Sequence, residues 1–272
     1  MSDRLIPAWS LTADAATSIG IPAEWPDRVT KEWAIGEATG EGVDVCILDS
    51  GVDGDHPLVG GVESAVAVTF DGEETILGPD ELGDVCGHGT ACAGIVRSLA
   101  PACRIHSVRV LGEGNTGSAD LILGGLRYAI DQGFEVVNLS LSTTKRKFAE
   151  LLHELADSAY FSGTVLVASA HNMPVESYPW RFSSVISVGS HEGSDSWEWF
   201  ANPNPPVEFF ARGIDLDVAW YGGSTLRATG NSFAAPHIAG LSALVLSKHP
   251  GLTPFQLKSV LYLTASNTGG NQ

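Results

Sequence analysis

Positive charge is the scarcest commodity in this sequence. Lys and Arg number 15 against 32 Asp and Glu, which leaves a net charge of −17. Neutralising phosphates needs a basic surface, so nucleic-acid binding is disfavoured. The deficit is concentrated. Between Glu32 and Val96 there is no Lys or Arg, but fourteen Asp or Glu. That stretch reads either as a solubilising surface or as an acidic rim beside a site. Long apolar runs are missing too. With no run of about eighteen such residues, no membrane span is expected. No charged-then-apolar leader follows Met1, and the simplest expectation is a soluble cytoplasmic protein. Cysteine is sparse, at Cys46, Cys86, Cys92 and Cys103. Their spacing is not that of a paired zinc motif, and four in 272 residues make no disulfide scaffold. Free thiols are expected.

What is present points to one α/β domain. The length suits a single large unit, and the 44% apolar fraction supports a sizeable core. Apolar, β-branched runs at Val43–Leu48, Val66–Phe70, Ile105–Val110, Val136–Leu141, Val165–Ala170 and Val185–Val188 suit buried parallel strands. Helical patterns alternate with them at His88–Leu99, Ser118–Gln132 and Lys145–Phe161. Two more follow, at Asn231–Lys248 and from Pro254 to about Thr264, with Thr253 as N-cap of the last. The alternation predicts a doubly wound, mostly parallel sheet with helices on both faces. Reactive residues in such folds gather at the carboxyl ends of the strands.

Three segments meet that demand. Val45–Leu48 runs into Asp49-Ser50-Gly51. Gly87-His88-Gly89-Thr90 opens a helix, and Gly230-Asn231-Ser232-Phe233 opens another. A serine hydroxyl is a poor nucleophile until a neutral imidazole takes its proton. The imidazole in turn needs a carboxylate to hold its tautomer. Each motif alone is weak; together, in the order Asp, His, Ser, they form a specific constellation.

The three segments resemble the active-site signatures of the subtilases, and the likeness runs from about Glu32 to Thr264. It implies a serine endopeptidase with Asp49, His88 and Ser232 as its triad. Asn172, in Ala170-His171-Asn172, stands where the family carries an oxyanion donor, with His171 in place of the usual Gly. Leu111 to Gly117 looks like the substrate-binding edge strand, which assigns Gly112, Glu113, Gly114 and Asn115 to substrate. Ser140, Leu141 and Ser142 follow the wall of the primary specificity pocket, and Cys86 a second pocket. Asn231 and Phe233 replace the usual Thr and Met beside the nucleophile, and Asn231 retains a donor for the oxyanion. Cys92 resembles a buried free thiol of the proteinase K-like branch. Cys86 and Cys92 read either as small core residues or as points of thiol-reagent sensitivity.

The resemblance also implies losses. The calcium-binding insertion after the histidine is missing, and Leu58 stands where an acid is expected. No cofactor and no tight calcium site are expected, with a weak cation site in Asp71–Asp84 left open. Arg4-Leu5-Ile6-Pro7-Ala8-Trp9 resembles the inhibitory extension of intracellular subtilisins. The expected layout is an inhibitory segment over 1–30 and a peptidase domain over 31–272, with no large prodomain ahead of it. The chain stops soon after its last helix, as a minimal form or a part of a longer protein would. Partners are peptide or protein substrates, with basic residues near the cleavage site if the acidic stretch lines the site. A dedicated peptide-maturing enzyme and an inactive peptide-binding scaffold are the rival readings.

Overall fold

Strands that are apolar on both faces need cover on both sides, and here they receive it. The computed structural model describes residues 8–20, 25–71 and 74–268. Among them, nine strands build one sheet. They are β1 (Asp44–Asp49), β2 (Ser64–Phe70), β3 (Thr75–Pro79), β4 (Arg104–Arg109), β5 (Val136–Leu139), β6 (Val165–Ser169), β7 (Ile186–His191), β8 (Trp199–Ala201) and β9 (Phe209–Arg212). Their order is β3-β2-β4-β1-β5-β6-β7-β9-β8. The central seven run parallel, while β3 and β8 close the edges antiparallel. A separate hairpin joins β10 (Leu216–Trp220) to β11 (Ser224–Ala228).

The helices are α1 (Ala13–Ser18), α2 (Lys31–Ile35), α3 (His88–Leu99), α4 (Ala119–Asp131), α5 (Ala149–Ser162), α6 (Asn231–Lys248) and α7 (Pro254–Leu263). Side chains alternate along β1, and the cores follow that alternation. Val45 and Ile47 pack with α3, α6 and α7, whereas Cys46 and Leu48 pack with α4 and α5. Helix α6 is buried on nearly every side, from Phe233 to Leu246. That is why it reads as apolar all round rather than amphipathic. Helix α7 starts with the expected Thr253 cap, whose hydroxyl accepts from the Gln256 N–H while Gln256 Oε1 accepts from the Thr253 N–H. No described helix is long and apolar enough to cross a membrane.

The sheet reverses its order at β1, which lies between β4 and β5. The crevice at the carboxyl end of such a strand is where ligands bind in open α/β sheets. Asp49 is the last residue of β1. At the N-terminus, most of the expected inhibitory motif, Arg4–Pro7, falls outside the described residues. Trp9 is fully exposed and α1 buries none of its residues.

Candidate active site

The fold brings the ends of β1, β5 and β6 and the starts of α3 and α6 to one cleft of about 380 Å³. His88, Ser140, Leu141, Ser142, Asn172 and Ser232 all line it. Asp49 lies directly behind His88, fully buried, with both carboxylate oxygens on the imidazole Nδ1 at 2.8 and 2.9 Å. A carboxylate accepts here, so Nδ1 carries the proton and Nε2 is left as the basic nitrogen. Burial by itself drives the His88 pKa down. The charge and hydrogen bond of Asp49, with the charge of Asp84, outweigh it, and the net displacement is upward.

Helix α3 is held in place by an acid that the sequence reading passed over. Asp84 Oδ1 accepts from Ser50 Oγ at 2.8 Å, the Cys86 N–H at 2.9 Å and the Gly87 N–H at 2.7 Å. Its Oδ2 accepts from the Thr90 N–H at 2.8 Å and the Thr90 hydroxyl at 2.5 Å. Ser50 links the two carboxylates, since its N–H donates to Asp49 Oδ1 at 2.8 Å and its hydroxyl to Asp84. Gly87, at φ +100°, completes the turn, and a Cβ there would run into the Trp220 ring. The available signal was an acid just ahead of a helix start, a common capping position.

Ser232 sits in the first turn of α6, half-buried. Four residues on, Pro236 lacks the N–H that would bond its carbonyl. The freed Ser232 carbonyl is taken instead by the Ser140 hydroxyl at 2.7 Å, with the Cys92 thiol donating at 3.7 Å. Asn138 Nδ2 donates to Ser140 Oγ at 3.0 Å, tying the nucleophile's backbone to β5. No hydrogen bond joins the Ser232 hydroxyl to His88 in this state. Such bonds tighten when substrate binds.

Asn172 follows β6, and its Oδ1 accepts from the Asn231 N–H at 2.9 Å. With the oxygen so engaged, Nδ2 is the amide's free end. A Cβ on Gly230 would lie 3.2 Å from Ser232 Oγ and 3.5 Å from Asn172 Nδ2, so both groups crowd the same small space. His171 needs no left-handed backbone in place of the usual glycine. Its Nδ1 accepts from the Met173 N–H at 3.0 Å.

Some expectations require correction. The Asn231 side chain does not face the oxyanion site. Its Oδ1 accepts from the Ser190 N–H at 2.9 Å and its Nδ2 donates to the His171 carbonyl at 3.4 Å, because α6 begins against the end of β7. Gly112, Glu113 and Gly114 do not line the cleft. Glu113–Asn115 is a single tight turn, closed by the Gly112 N–H on the Thr116 carbonyl at 2.8 Å, with Gly114 at φ +71°. The side chain of Asn115 lies outside the description. Leu111, Thr116 and Gly117, from the two ends of the same expected edge segment, do line the cleft. Cys86 is also off the cleft lining, in the loop bound by Asp84.

The acids of that acidic stretch do not line the cleft either: none of the described cleft-lining residues is Asp or Glu. Several of its acids have partners within the chain: Asp49 on His88, Asp84 on α3, Asp80 on Arg109 at 3.0 Å and, at the surface, Asp44 on Arg104. With Asp80 and Asp84 committed, the weak cation site considered for Asp71–Asp84 loses two of its donors; Glu73 lies outside the described residues. Thr143, Lys145, Ser169, Ala170 and His171 join the lining unforeseen, although they follow β5 and β6 where the carboxyl-end rule directs attention.

Among the described residues, none of the four cysteines is disulfide-bonded. Burial raises the Cys92 thiol well above its ordinary range, so it stays protonated under the nucleophile. Asp49, His88 and Cys92 bring one donor atom each within 4.8 Å of one another.

An α/β sheet whose switch point brings a buried Asp–His pair and a serine at a helix start to one cleft carries the groups of a serine hydrolase. Comparison with known proteins agrees. The model of the subtilase family matches residues 40–272. Subtilisin DY of Bacillus licheniformis is 31% identical over 265 residues, covering 92% of each chain. Subtilisin E of Bacillus subtilis (strain 168) is 31% identical over 86% of this chain and 63% of its own length. A solved structure of a cold adapted subtilisin-like serine proteinase superposes with a TM-score of 0.70, at 28% identity over 85% of this chain and 87% of that one. The chain belongs to the subtilase family, and its substrates are peptides or proteins.

Proposed function

We propose that the chain cleaves peptide bonds through an acyl-enzyme formed on Ser232. His88 Nε2 takes the Ser232 proton as the hydroxyl attacks the scissile carbonyl, then returns it to the leaving amine. Asp49 keeps Nδ1 protonated and stabilises the imidazolium. Water, deprotonated by the same Nε2, then hydrolyses the ester. No metal or cofactor enters the scheme. The observation that carries it is the two-oxygen grip of buried Asp49 on His88 Nδ1. A serine-directed phosphonate tests it: the adduct is expected on Ser232 and on no other serine, and an unlabelled Ser232 would reject the scheme.

The oxyanion is held by Asn172 Nδ2 and the Ser232 N–H. Asn172→Ala is expected to lower kcat by about 10²- to 10³-fold with little change in KM, the effect of removing such a donor in subtilisin. Steady-state kinetics on a chromogenic peptide check it; a loss confined to KM would remove Asn172 from this role.

The same reading places the enzyme in the cytoplasm, where unbridged cysteines stay reduced. It also keeps residues 1–30 as an inhibitory extension on a peptidase domain over 31–272, on the strength of the Leu5-Ile6-Pro7 resemblance. A dedicated peptide-maturing enzyme would use the same groups. Cleavage of many sites in casein favours general proteolysis; cleavage of one defined peptide favours maturation.

A further inference from the structure

The charge of the cleft runs against the charge of the chain. Acids outnumber bases by 32 to 15 overall, yet the described residues that line the cleft include no acid and one permanent charge, Lys145. Lys145 opens the run Lys145-Arg146-Lys147, three consecutive bases in a chain that has few. The run follows β5, so the sheet itself delivers it to the rim of the cleft.

The backbone under Lys145 is anchored. Its N–H donates to Thr143 Oγ1 at 3.3 Å. Thr143 is bridged to Tyr178 by two backbone hydrogen bonds of 2.9 Å, one in each direction. The ammonium, by contrast, has no ion-pair partner among the described residues. Glu176, two residues from Tyr178, is engaged elsewhere. It accepts from the Tyr178 hydroxyl at 2.5 Å and faces Arg181 at 3.7 Å. A charged group on a fixed base, facing a substrate cleft with no internal counter-ion, is a recognition element awaiting its complement.

We propose that Lys145 selects substrates carrying an acidic side chain at the peptide position that reaches the cleft wall of Ser142, Thr143 and Lys145. Acidic peptides are thus the favoured substrate class. This rests on the serine endopeptidase reading above and names its specificity. Lys145 is exposed, so the discrimination is moderate: about threefold to tenfold in kcat/KM for Glu over Gln at that position. Lys in place of Glu falls lower still, through like-charge repulsion.

The test is cleavage profiling of a peptide library with Glu, Gln and Lys placed in turn at each position, with Ser232→Ala as the blank. Wild type is expected to favour Glu at one position, and about 0.5 M salt to flatten the preference. Lys145→Ala should abolish it, Lys145→Arg should keep it, and Lys145→Glu should reverse it in favour of Lys. A neutral or basic preference in the wild type would overturn the proposal. So would an acidic preference that survives Lys145→Ala. Cleavage by Ser232→Ala equal to that of wild type would instead sink the serine mechanism itself.

Discussion

Alanine at position 232 is expected to lower kcat by about 10⁶-fold while leaving the fold intact, the magnitude that loss of the subtilisin nucleophile shows. The structure explains why the fold should hold. The Ser232 hydroxyl makes no hydrogen bond in the resting state, and its main chain is fixed by contacts that alanine keeps. Ser140 and Cys92 still hold the 232 carbonyl, and Phe233 still packs beside the His88 ring at 5.4 Å. Residual turnover should come from the oxyanion donors and binding alone. Peptide hydrolysis and a thermal melt, run side by side, check the claim. Activity within tenfold of wild type would mean that another residue is the nucleophile.

The base should declare itself in the pH profile. Attack requires neutral His88, so kcat/KM rises with pH as the imidazolium loses its proton. The His88 pKa is displaced upward, which places the acid limb above the ordinary histidine value of about 6.5. Asp84 contributes to that displacement through its charge alone, without touching the ring. The neutral variant Asp84→Asn should therefore move the limb to lower pH. A limb that stays in place would show that Asp84 acts on geometry only.

Asp84→Ala is expected to be among the costliest single changes to stability, at about 3 kcal/mol. Five donors from four residues converge on this one carboxylate. Alanine strands three backbone N–H groups at or before the start of α3, together with the Ser50 and Thr90 hydroxyls. Water reaches part of this site, so the cost stays well below five full desolvation penalties. Urea unfolding measures it. Activity should fall as well, because α3 carries His88 and Ser50 connects Asp84 to Asp49. A loss under 1 kcal/mol would mean that water replaces the carboxylate with ease.

The triad was legible because its chemistry demands fixed residue types in short motifs with small neighbours. Helices α3 and α6 were legible for a related reason: each starts directly after a glycine, Gly87 or Gly230, and leads into small and apolar residues. Strands β3 and β8 to β11 were not legible. They are short, or exposed, or at an edge, and β8 and β9 alternate in burial over only three and four residues, too few for a period to be read. The same applies to Asp84. It is one acid among fourteen in its stretch, and its place ahead of a helix start suggests a cap but not a carboxylate that gathers five hydrogen bonds.

Sequence alone determined the α/β class, the family, and the three residues on which the chemistry is proposed to turn. These are local statements, about strand and helix periods and about motifs of a few residues. Tertiary structure decided the electrostatic setting. It turned Asn231 away from the oxyanion site, kept Gly112, Glu113 and Gly114 off the cleft lining, and drew Asp44, Asp80 and Asp84 onto partners within the chain. Among the described residues lining the cleft, it left Lys145 as the one permanent charge, on an otherwise acidic protein. Composition sums charges, whereas binding responds to the few that remain unpaired within a Debye length of the ligand. Only the fold determines which those are.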